Sequence, residues 1–199
     1  MSIFVLGSGS AGRCMILKNA GLDFEVIRPD VDEDAIRNAF SPPEGEDPFA
    51  ALALALAEAK ARAVSKRTDL PVLGADQLLV CEDEVFTKPA DMAEARENLE
   101  RLRGRTHRLI SALCIARKGE SVWTHVDEAH LTMRNFSDAF LDWYLNTAGE
   151  KVLSSVGCYQ IEGPGIQLFE KIEGDWFTIV GLPILPFLNW LRQEGLIPQ

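Results

Sequence analysis

Residues 2–13 read Ser2-Ile-Phe-Val-Leu-Gly-Ser-Gly-Ser-Ala-Gly-Arg13, an apolar run followed by a loop of glycine and serine. The apolar run predicts a buried strand, and Met15–Ala20 predicts a helix after the loop. Free amides at the start of that helix would point at a bound anion, with hydroxyl donors from Ser8 and Ser10. Arg13 adds a permanently charged donor that suits phosphate oxygens. The stretch predicts an α/β fold with an anion site, although similar loops also occur as simple tight connections.

The glycines of this loop leave two classes of ligand open. Gly7 and Gly9 are expected to take positive φ angles and to let a ligand approach the backbone closely. With Gly12 they match the frame of a dinucleotide-binding loop, and Asp30 or Asp32 lies where a ribose-binding acid belongs. A Walker loop is excluded because no lysine follows the last glycine. A dinucleotide oxidoreductase is therefore an alternative, but the arginine and the paired serines favour a triphosphate.

Composition narrows the class of protein. With 199 residues and 47% hydrophobic content, the chain can build one sizeable core, in one or two lobes. The net charge of -10 argues against a nucleic-acid surface, although a few converging cations can still bind a small anion. No apolar run predicts a membrane span or a cleaved signal, so we expect a cytoplasmic protein. The four cysteines form no C-x-x-C pair, which favours reduced thiols.

Strand and helix patterns alternate along the rest of the chain, without internal repeats. An acidic segment at 29–34 leads to a loop at 41–48. Strands are predicted at about 24–28, 71–81, 85–86, 106–117 and 121–134, followed by a terminal hairpin of 166–172 with 176–180. Helices are predicted at about 49–67, 92–103 and 137–146 and after residue 183. The pattern indicates a mixed α/β chain.

Four charged residues outside the first loop have both a chemical and an ordinary interpretation. Asp76 interrupts a buried strand, where a carboxylate is costly unless it is paired, so it is either a general base or a strand-end turn residue. Lys88 precedes Pro89, which could aim the amine inward, but a solvated loop lysine is commoner. Lys60 lies on an apolar helix, where lysines also reach to solvent. Glu33 belongs to an acidic cluster that is typical of a solvated face.

In order along the chain, the motifs resemble those of the Maf family of nucleoside triphosphate pyrophosphatases. They are Ser8-Gly-Ser-Ala-Gly-Arg13, Asp32-Glu33, Leu56-Ala-Glu-Ala-Lys-Ala61, Gly74-Ala-Asp76, Lys88-Pro89, Leu102-Arg-Gly-Arg-Thr-His107, Ile161-Glu-Gly163 and Val180-Gly-Leu-Pro183. The resemblance implies one domain over residues 1–199, with an ITPase-like two-lobed fold around a mixed sheet and the ligand in a cleft between the lobes. It also implies cleavage between the α and β phosphates, a divalent cation such as Mg²⁺ or Mn²⁺, and a homodimer.

The resemblance also implies roles for individual residues. Asp76 occupies the position of the general base that activates water. Substrate-binding positions are implied at Ser8, Ser10, Arg13, Glu33, Lys60 and Lys88. Glu33 and Asp76 are the implied metal ligands. This division of roles suits phosphoryl transfer, which depends mainly on positioning and charge neutralisation.

Four positions depart from the commonest family pattern, and three of them, Gly12, Gln77 and Glu162, bear on specificity. Ala11 and Gly12 replace a proline and an arginine, Gln77 replaces a threonine, and Glu162 replaces a glutamine. Gln77 with Glu162 is similar to the branch that hydrolyses 7-methyl-GTP rather than dTTP or UTP. A carboxylate at Glu162 can accept hydrogen bonds from the N1–H and the amine of guanine. That branch usually has tryptophan where this chain has Gly12.

We therefore expect a cytoplasmic, metal-dependent pyrophosphatase that removes non-canonical or modified triphosphates, with 7-methyl-GTP favoured. The alternatives are a dTTP/UTP-type pyrophosphatase and a non-catalytic nucleotide-binding regulator of cell division. The segment His125-Val-Asp-Glu-Ala-His130 could suggest a metal site, but its histidines would face opposite sides of a strand. We predict an ordinary surface strand there.

Overall fold

A computed structural model describes residues 2–199 as a sheet of seven strands with helices around it. The strands are β1 (Phe4–Gly7), β2 (Phe24–Val26), β3 (Val72–Cys81), β4 (Glu84–Phe86), β5 (Thr106–Arg117), β6 (Glu120–Met133) and β7 (Phe169–Glu173). The helices are α1 (Ala11–Asn19), α2 (Glu33–Ala39), α3 (Pro48–Ser65), α4 (Met92–Leu102), α5 (Asp138–Ala148), α6 (Trp176–Val180) and α7 (Ile184–Gln193), with 3₁₀ helices at Gly149–Ser154 and Pro164–Leu168. The predicted mixed α/β class is confirmed.

The strand order is β2-β1-β3-β5-β6-β7, with β4 paired to β3. Strand β1 pairs in parallel with both β2 and β3, whereas β4 and β7 pair antiparallel with β3 and β6. Because β1, α1 and β2 form a parallel βαβ unit, the loop after β1 lies at the carboxyl edge of the parallel strands. That edge is where open α/β sheets bind their ligands.

The chain divides into two compact units, and strands β3, β5 and β6 contribute residues to both. The first unit comprises residues up to Gln77, Ser111–Asp127 and Trp176–Gln199, and the second comprises Leu78–Ile110 and Glu128–Asp175. The core of the first unit includes Phe4, Leu6, Leu17, Leu73 and Phe187, all fully buried. The single domain expected over residues 1–199 stays a prediction. Within residues 2–199, every helix is too short or too polar to span a bilayer.

Two helices were not predicted from the sequence. Helix α2 begins at Glu33, near the end of the acidic segment at 29–34, and Asp32 caps it by accepting a hydrogen bond from the Ala35 amide at 2.9 Å. This use of Asp32 is an ordinary N-cap. Helix α6 occupies Trp176–Val180, so the predicted terminal hairpin is wrong, and β7 pairs with β6 instead. A five-residue apolar run is too short for its periodicity to separate strand from helix.

The prediction of positive φ angles at Gly7 and Gly9 is also wrong, because the positive values occur at other glycines. These loop glycines are instead needed for space. A Cβ atom on Gly7 would lie 3.2 Å from Cγ1 of Val72, and one on Gly12 would lie 3.2 Å from Cγ1 of Val180. The loop therefore packs tightly against β3 and α6.

His125 and His130 lie within strand β6, which is the ordinary strand expected for that segment.

Helix α3 lies directly on β3. Asp47 caps the helix, and its carboxylate accepts hydrogen bonds from two amides of the first turn. A Cβ atom on Gly74 would lie 2.6 Å from the amide nitrogen of Ala61 and would also meet the carbonyl of Ala57. Only glycine lets the helix come this close. The contact brings Lys60, on the same turn as Ala61, to β3.

His107 is buried in the second unit. Its Nε2 lies 2.7 Å from the hydroxyl of Tyr159, and its Nδ1 has no hydrogen-bond partner among residues 2–199. Burial lowers the pKa of His107 to about 3, because the charged ring would lose its hydration. The imidazole is therefore neutral in the folded protein at neutral pH.

We expect this histidine to make the protein less stable in acid. His107 binds a proton near pH 6.5 in the unfolded chain but only near pH 3 in the folded chain. The free energy of unfolding therefore has its full value above pH 6.5 and decreases as the pH falls below it. The slope approaches about 1.4 kcal/mol per pH unit. Denaturant titrations of the wild type and of His107→Gln between pH 7 and about 5 measure this slope. Most carboxyl groups titrate below this range and therefore contribute little to it. Equal slopes for the two proteins would contradict the expectation.

Candidate functional site

Arg13 is fixed beneath the glycine and serine loop in the first unit and is only 9% exposed. Its Nε donates to the carbonyl of Gly181 at 2.9 Å, and its Nη1 donates to the carbonyl of Ala75 at 2.8 Å and to Oγ of Ser8 at 3.1 Å. An arginine has five N–H donors, so these bonds leave the pair on Nη2 for another acceptor. Burial lowers the pKa of Arg13, and the charge of Asp76 partly opposes that shift. The guanidinium nevertheless keeps its charge, since arginine stays protonated in proteins.

The two serines hold the loop in shape. Oγ of Ser8 accepts from the Ser10 amide at 3.3 Å as well as from Arg13, and Oγ of Ser10 accepts from the Arg13 amide at 3.4 Å as the N-cap of α1. The hydroxyl hydrogens themselves are not used in these bonds. The first turn of α1 contains no acidic residue, so nothing on that turn opposes an anion at its amides.

Asp76 and Lys60 form a buried ion pair in the same unit. The Lys60 ammonium lies 2.6 Å from Oδ1 of Asp76 and 2.9 Å from Oε1 of Glu33, and Lys60 and Asp76 are 7% and 5% exposed. The lysine therefore lies between two carboxylates, one from α2 and one from β3. Its contacts are with acids of the protein, which the sequence analysis did not predict.

The second oxygen of Asp76, Oδ2, is buried and has no hydrogen-bond partner among residues 2–199. An unsatisfied buried carboxylate oxygen is costly, so such an atom in a folded protein calls for a ligand, a water or a cation. Because Lys60 holds Oδ1, the carboxylate is oriented with Oδ2 available. This arrangement can accept a proton from a bound water molecule.

The two acids also fit part of a metal site. No cluster of three or more histidine, cysteine, aspartate and glutamate side chains occurs in the described part of the chain. Mg²⁺, however, is usually held by one or two carboxylates together with substrate phosphates and water. Glu33 and the open Oδ2 of Asp76 suit that mode of binding, in which the nucleotide supplies the remaining oxygens.

Gln77 and Gly12 both lie against α6. The side-chain nitrogen of Gln77 donates to Oγ of Ser111 and to the carbonyl of Thr178, each at 2.9 Å, and it lies 3.1 Å from the carbonyl of Ile179. The structure thus gives the Gln77 amide a role in joining β3, β5 and α6. Its predicted role in specificity, like that of Gly12, stays a prediction.

Lys88 and Glu162 lie in the second unit and are both exposed. Lys88 follows β4, and Glu162 lies in the turn before the second 3₁₀ helix. Their predicted roles stay predictions. Gly181 was part of the motif Val180-Gly-Leu-Pro183, but its role was not predicted: its φ of 105° turns the chain after α6, and its carbonyl anchors Arg13. A glycine directly before Leu182-Pro183 was the available signal.

Comparison with known proteins gives consistent results over nearly the whole chain. The model of the family described as "Maf-like protein" matches residues 3–194. A "7-methyl-GTP pyrophosphatase" of Mesorhizobium japonicum is 53% identical over 194 residues, which cover 97% of this chain and 96% of that protein. One of the same name from Brucella abortus is 50% identical, with 97% and 96% covered. A "Nucleoside triphosphate pyrophosphatase" of Paramagnetospirillum magneticum is 50% identical, with 98% and 100% covered.

Proposed function

Because the chain belongs to the Maf-like protein family, we propose that it is a nucleoside triphosphate pyrophosphatase that cleaves between the α and β phosphates. The products are a nucleoside monophosphate and pyrophosphate. The activity class is supported by relatives of about half-identical sequence that are named pyrophosphatases. The observation that carries the mechanism is the buried Oδ2 of Asp76, which has no hydrogen-bond partner within residues 2–199.

In the proposed mechanism, Asp76 acts as the general base. A water molecule bound to Oδ2 transfers one proton to the carboxylate as its oxygen attacks one phosphorus of the α–β anhydride. The bond from that phosphorus to the bridging oxygen breaks, and the nucleoside monophosphate and pyrophosphate separate. Lys60 orients the carboxylate through its contact with Oδ1. Nη2 of Arg13 and the amides at the start of α1 bind the phosphate oxygens.

A divalent cation held by Glu33, Asp76 and the phosphates would supply further charge neutralisation. We propose Mg²⁺ or Mn²⁺ because carboxylate and phosphate oxygens are the ligands that these cations prefer. The formal charges of the four site residues Arg13, Lys60, Glu33 and Asp76 sum to zero, so these side chains cannot by themselves neutralise a triphosphate. A cation that enters with the nucleotide addresses this shortfall.

We propose 7-methyl-GTP as the preferred substrate. Two of the relatives described above have that name, and the pair of Gln77 and Glu162 is similar to the branch that acts on it. The carboxylate of Glu162 can accept hydrogen bonds from guanine and is attracted to the positive ring of the methylated base.

This proposal is tested with a panel of 7-methyl-GTP, dTTP, UTP and CTP, each with and without Mg²⁺. Pyrophosphate release should be fastest with 7-methyl-GTP and should depend on the metal. Release that is fastest with dTTP or UTP would reassign the substrate, and no release from any member would contradict the enzyme itself.

Changing Glu162→Gln is expected to shift the preference between bases. An amide can pair with thymine or uracil, but it lacks the charge that favours methylguanine. We expect kcat/KM for 7-methyl-GTP to fall about tenfold, as for loss of a charged hydrogen bond, while that for UTP rises or stays constant. Steady-state kinetics measures both, with Glu170→Gln on exposed β7 as the matched control. An equal fall for both nucleotides would show that Glu162 does not read the base.

We further propose that the enzyme acts in the cytoplasm as a homodimer on free nucleotides. The net charge of -10 supports a preference for small ligands over nucleic acid. The homodimer rests on the family resemblance, and light scattering of the purified protein measures it directly. A monomer at micromolar concentration would contradict it.

A further inference from the structure

The glycine and serine loop at residues 8–10, between β1 and α1, has a neighbouring cation, Arg28, for which no role was predicted from the sequence. Arg28 follows strand β2, and the Ile27 amide still donates to the carbonyl of Leu6 at 3.1 Å, so the chain stays paired with β1 up to that point. The parallel register pairs Leu6 with Val26, and continuing it puts Arg28 level with Ser8. Arg28 therefore lies at the carboxyl edge of the sheet, beside the loop.

The side chain of Arg28 lies over Gly9. A Cβ atom on this glycine would be 3.2 Å from Nε of Arg28 and 3.7 Å from both its Cδ and its Cγ. The start of the guanidinium thus lies next to the space that a side chain at position 9 would occupy, and both residues are exposed. Any larger residue at position 9 would displace the arginine.

Arg28 differs from Arg13 and Lys60, the two buried cations of the site, in having no internal partner among residues 2–199. Within residues 2–199, it makes no hydrogen bond or ion pair with another residue. Arg13 spends three of its donors on Gly181, Ala75 and Ser8, and Lys60 is bound to two carboxylates. A ligand at this loop can therefore use every donor of Arg28, in addition to the Nη2 pair that Arg13 leaves open, without breaking an existing bond.

We propose that Arg28 binds the polyphosphate chain of the nucleotide at the Gly9 loop. The inference rests on the proposed function, and it extends the anion site by one forked donor on the open side of the loop. It also adds one positive charge to the site, where Arg13, Lys60, Glu33 and Asp76 together carry no net charge. The ordinary alternative is that Arg28 only covers the glycine with its methylene groups.

The test compares Arg28→Gln with Arg28→Lys and with Lys18→Gln as the charge-matched control. Lys18 is an exposed cation in the last turn of α1, about 12 Å along the helix from its start. The probe is inorganic tripolyphosphate, measured by calorimetry and as a competitive inhibitor, together with KM and kcat for the best triphosphate of the panel. For Arg28→Gln we expect about a tenfold weaker Kd for tripolyphosphate and a similar rise in KM. The value of kcat should stay within about twofold, because Arg28 is not proposed to act on the reacting atoms.

The Kd of Arg28→Lys for tripolyphosphate should lie between those of the wild type and Arg28→Gln, since lysine keeps the charge but lacks the forked pair of donors. The inference is overturned if Arg28→Gln binds tripolyphosphate as the wild type does, or if Lys18→Gln weakens binding equally. It is also overturned if KM rises while the Kd for tripolyphosphate does not, because Arg28 would then contact the base or ribose. Calorimetry does not require turnover, so a wild type that binds tripolyphosphate through Arg28 but releases no pyrophosphate would overturn the proposed function alone.

Discussion

Replacing Asp76 with asparagine is expected to abolish most of the activity while nucleotide binding is retained. The amide has nearly the same shape, but it cannot accept a proton from water, so we expect kcat to fall by about a hundredfold to ten-thousandfold. Lys60 keeps its ion pair with Glu33 at 2.9 Å, which should preserve the local structure. Pyrophosphate release measures the rate, and calorimetry with the triphosphate measures binding.

The matched control is Asp83→Asn in the turn between β3 and β4. Asp83 is exposed and has a φ of 63°, a conformation that asparagine adopts readily. This variant should keep wild-type kinetics and stability. If Asp76→Asn kept most of its activity, Asp76 would not be the base. If the wild type bound triphosphates without hydrolysing any, the chain would be a nucleotide-binding regulator.

Replacing Gly74 with alanine is expected to have the largest effect on stability. The added methyl carbon would lie 2.6 Å from the Ala61 amide and would also meet the carbonyl of Ala57, and both are backbone atoms of α3 that cannot rotate away. Helix and strand must separate, at a cost of about 3 kcal/mol or more. Since α3 carries Lys60, the separation should also disturb the 2.6 Å pair with Asp76 and lower kcat.

Urea denaturation measures the stability of this variant, with Gly163→Ala as the control. A Cβ atom on Gly163 would lie 3.7 Å from the nearest atom, the carbonyl of Gln160, and its φ of -126° suits alanine. That variant should therefore unfold at nearly the wild-type urea concentration. Equal stability of the two variants would show that α3 does not pack on β3 as closely as described.

The sequence predicted the long periodic elements and the membership of the site. Strand β1 and a following helix were predicted from residues 2–20, but α1 begins at Ala11 rather than Met15, so Arg13 lies in its first turn and not in the loop. The long helix and strands have enough turns or alternations to show their period. The family motifs identified Ser8, Arg13, Lys60 and Asp76, which the structure brings together in one unit. Their presence could be predicted because each motif contains a residue type that its chemistry requires.

The partners that each charged side chain contacts could not be predicted, because these contacts depend on tertiary packing. The position of Lys60 between two acids requires α2, which is only seven residues long and was not expected. Arg13 spends its donors on carbonyls of Ala75 and Gly181, which are distant in sequence. Arg28 gave no signal, since an exposed arginine after a strand is common. Its role emerges only from its contact with Gly9.

Hydrolysis of 7-methyl-GTP in ¹⁸O-labelled water with Mg²⁺ tests most directly whether Asp76 activates water for cleavage between the α and β phosphates. Mass spectrometry identifies the products for the wild type and Asp76→Asn. For the wild type we expect equal amounts of nucleoside monophosphate and pyrophosphate, with one labelled oxygen gained per turnover, and for the variant almost no product. Formation of a nucleoside diphosphate with orthophosphate, or equal rates for the two proteins, would contradict this mechanism.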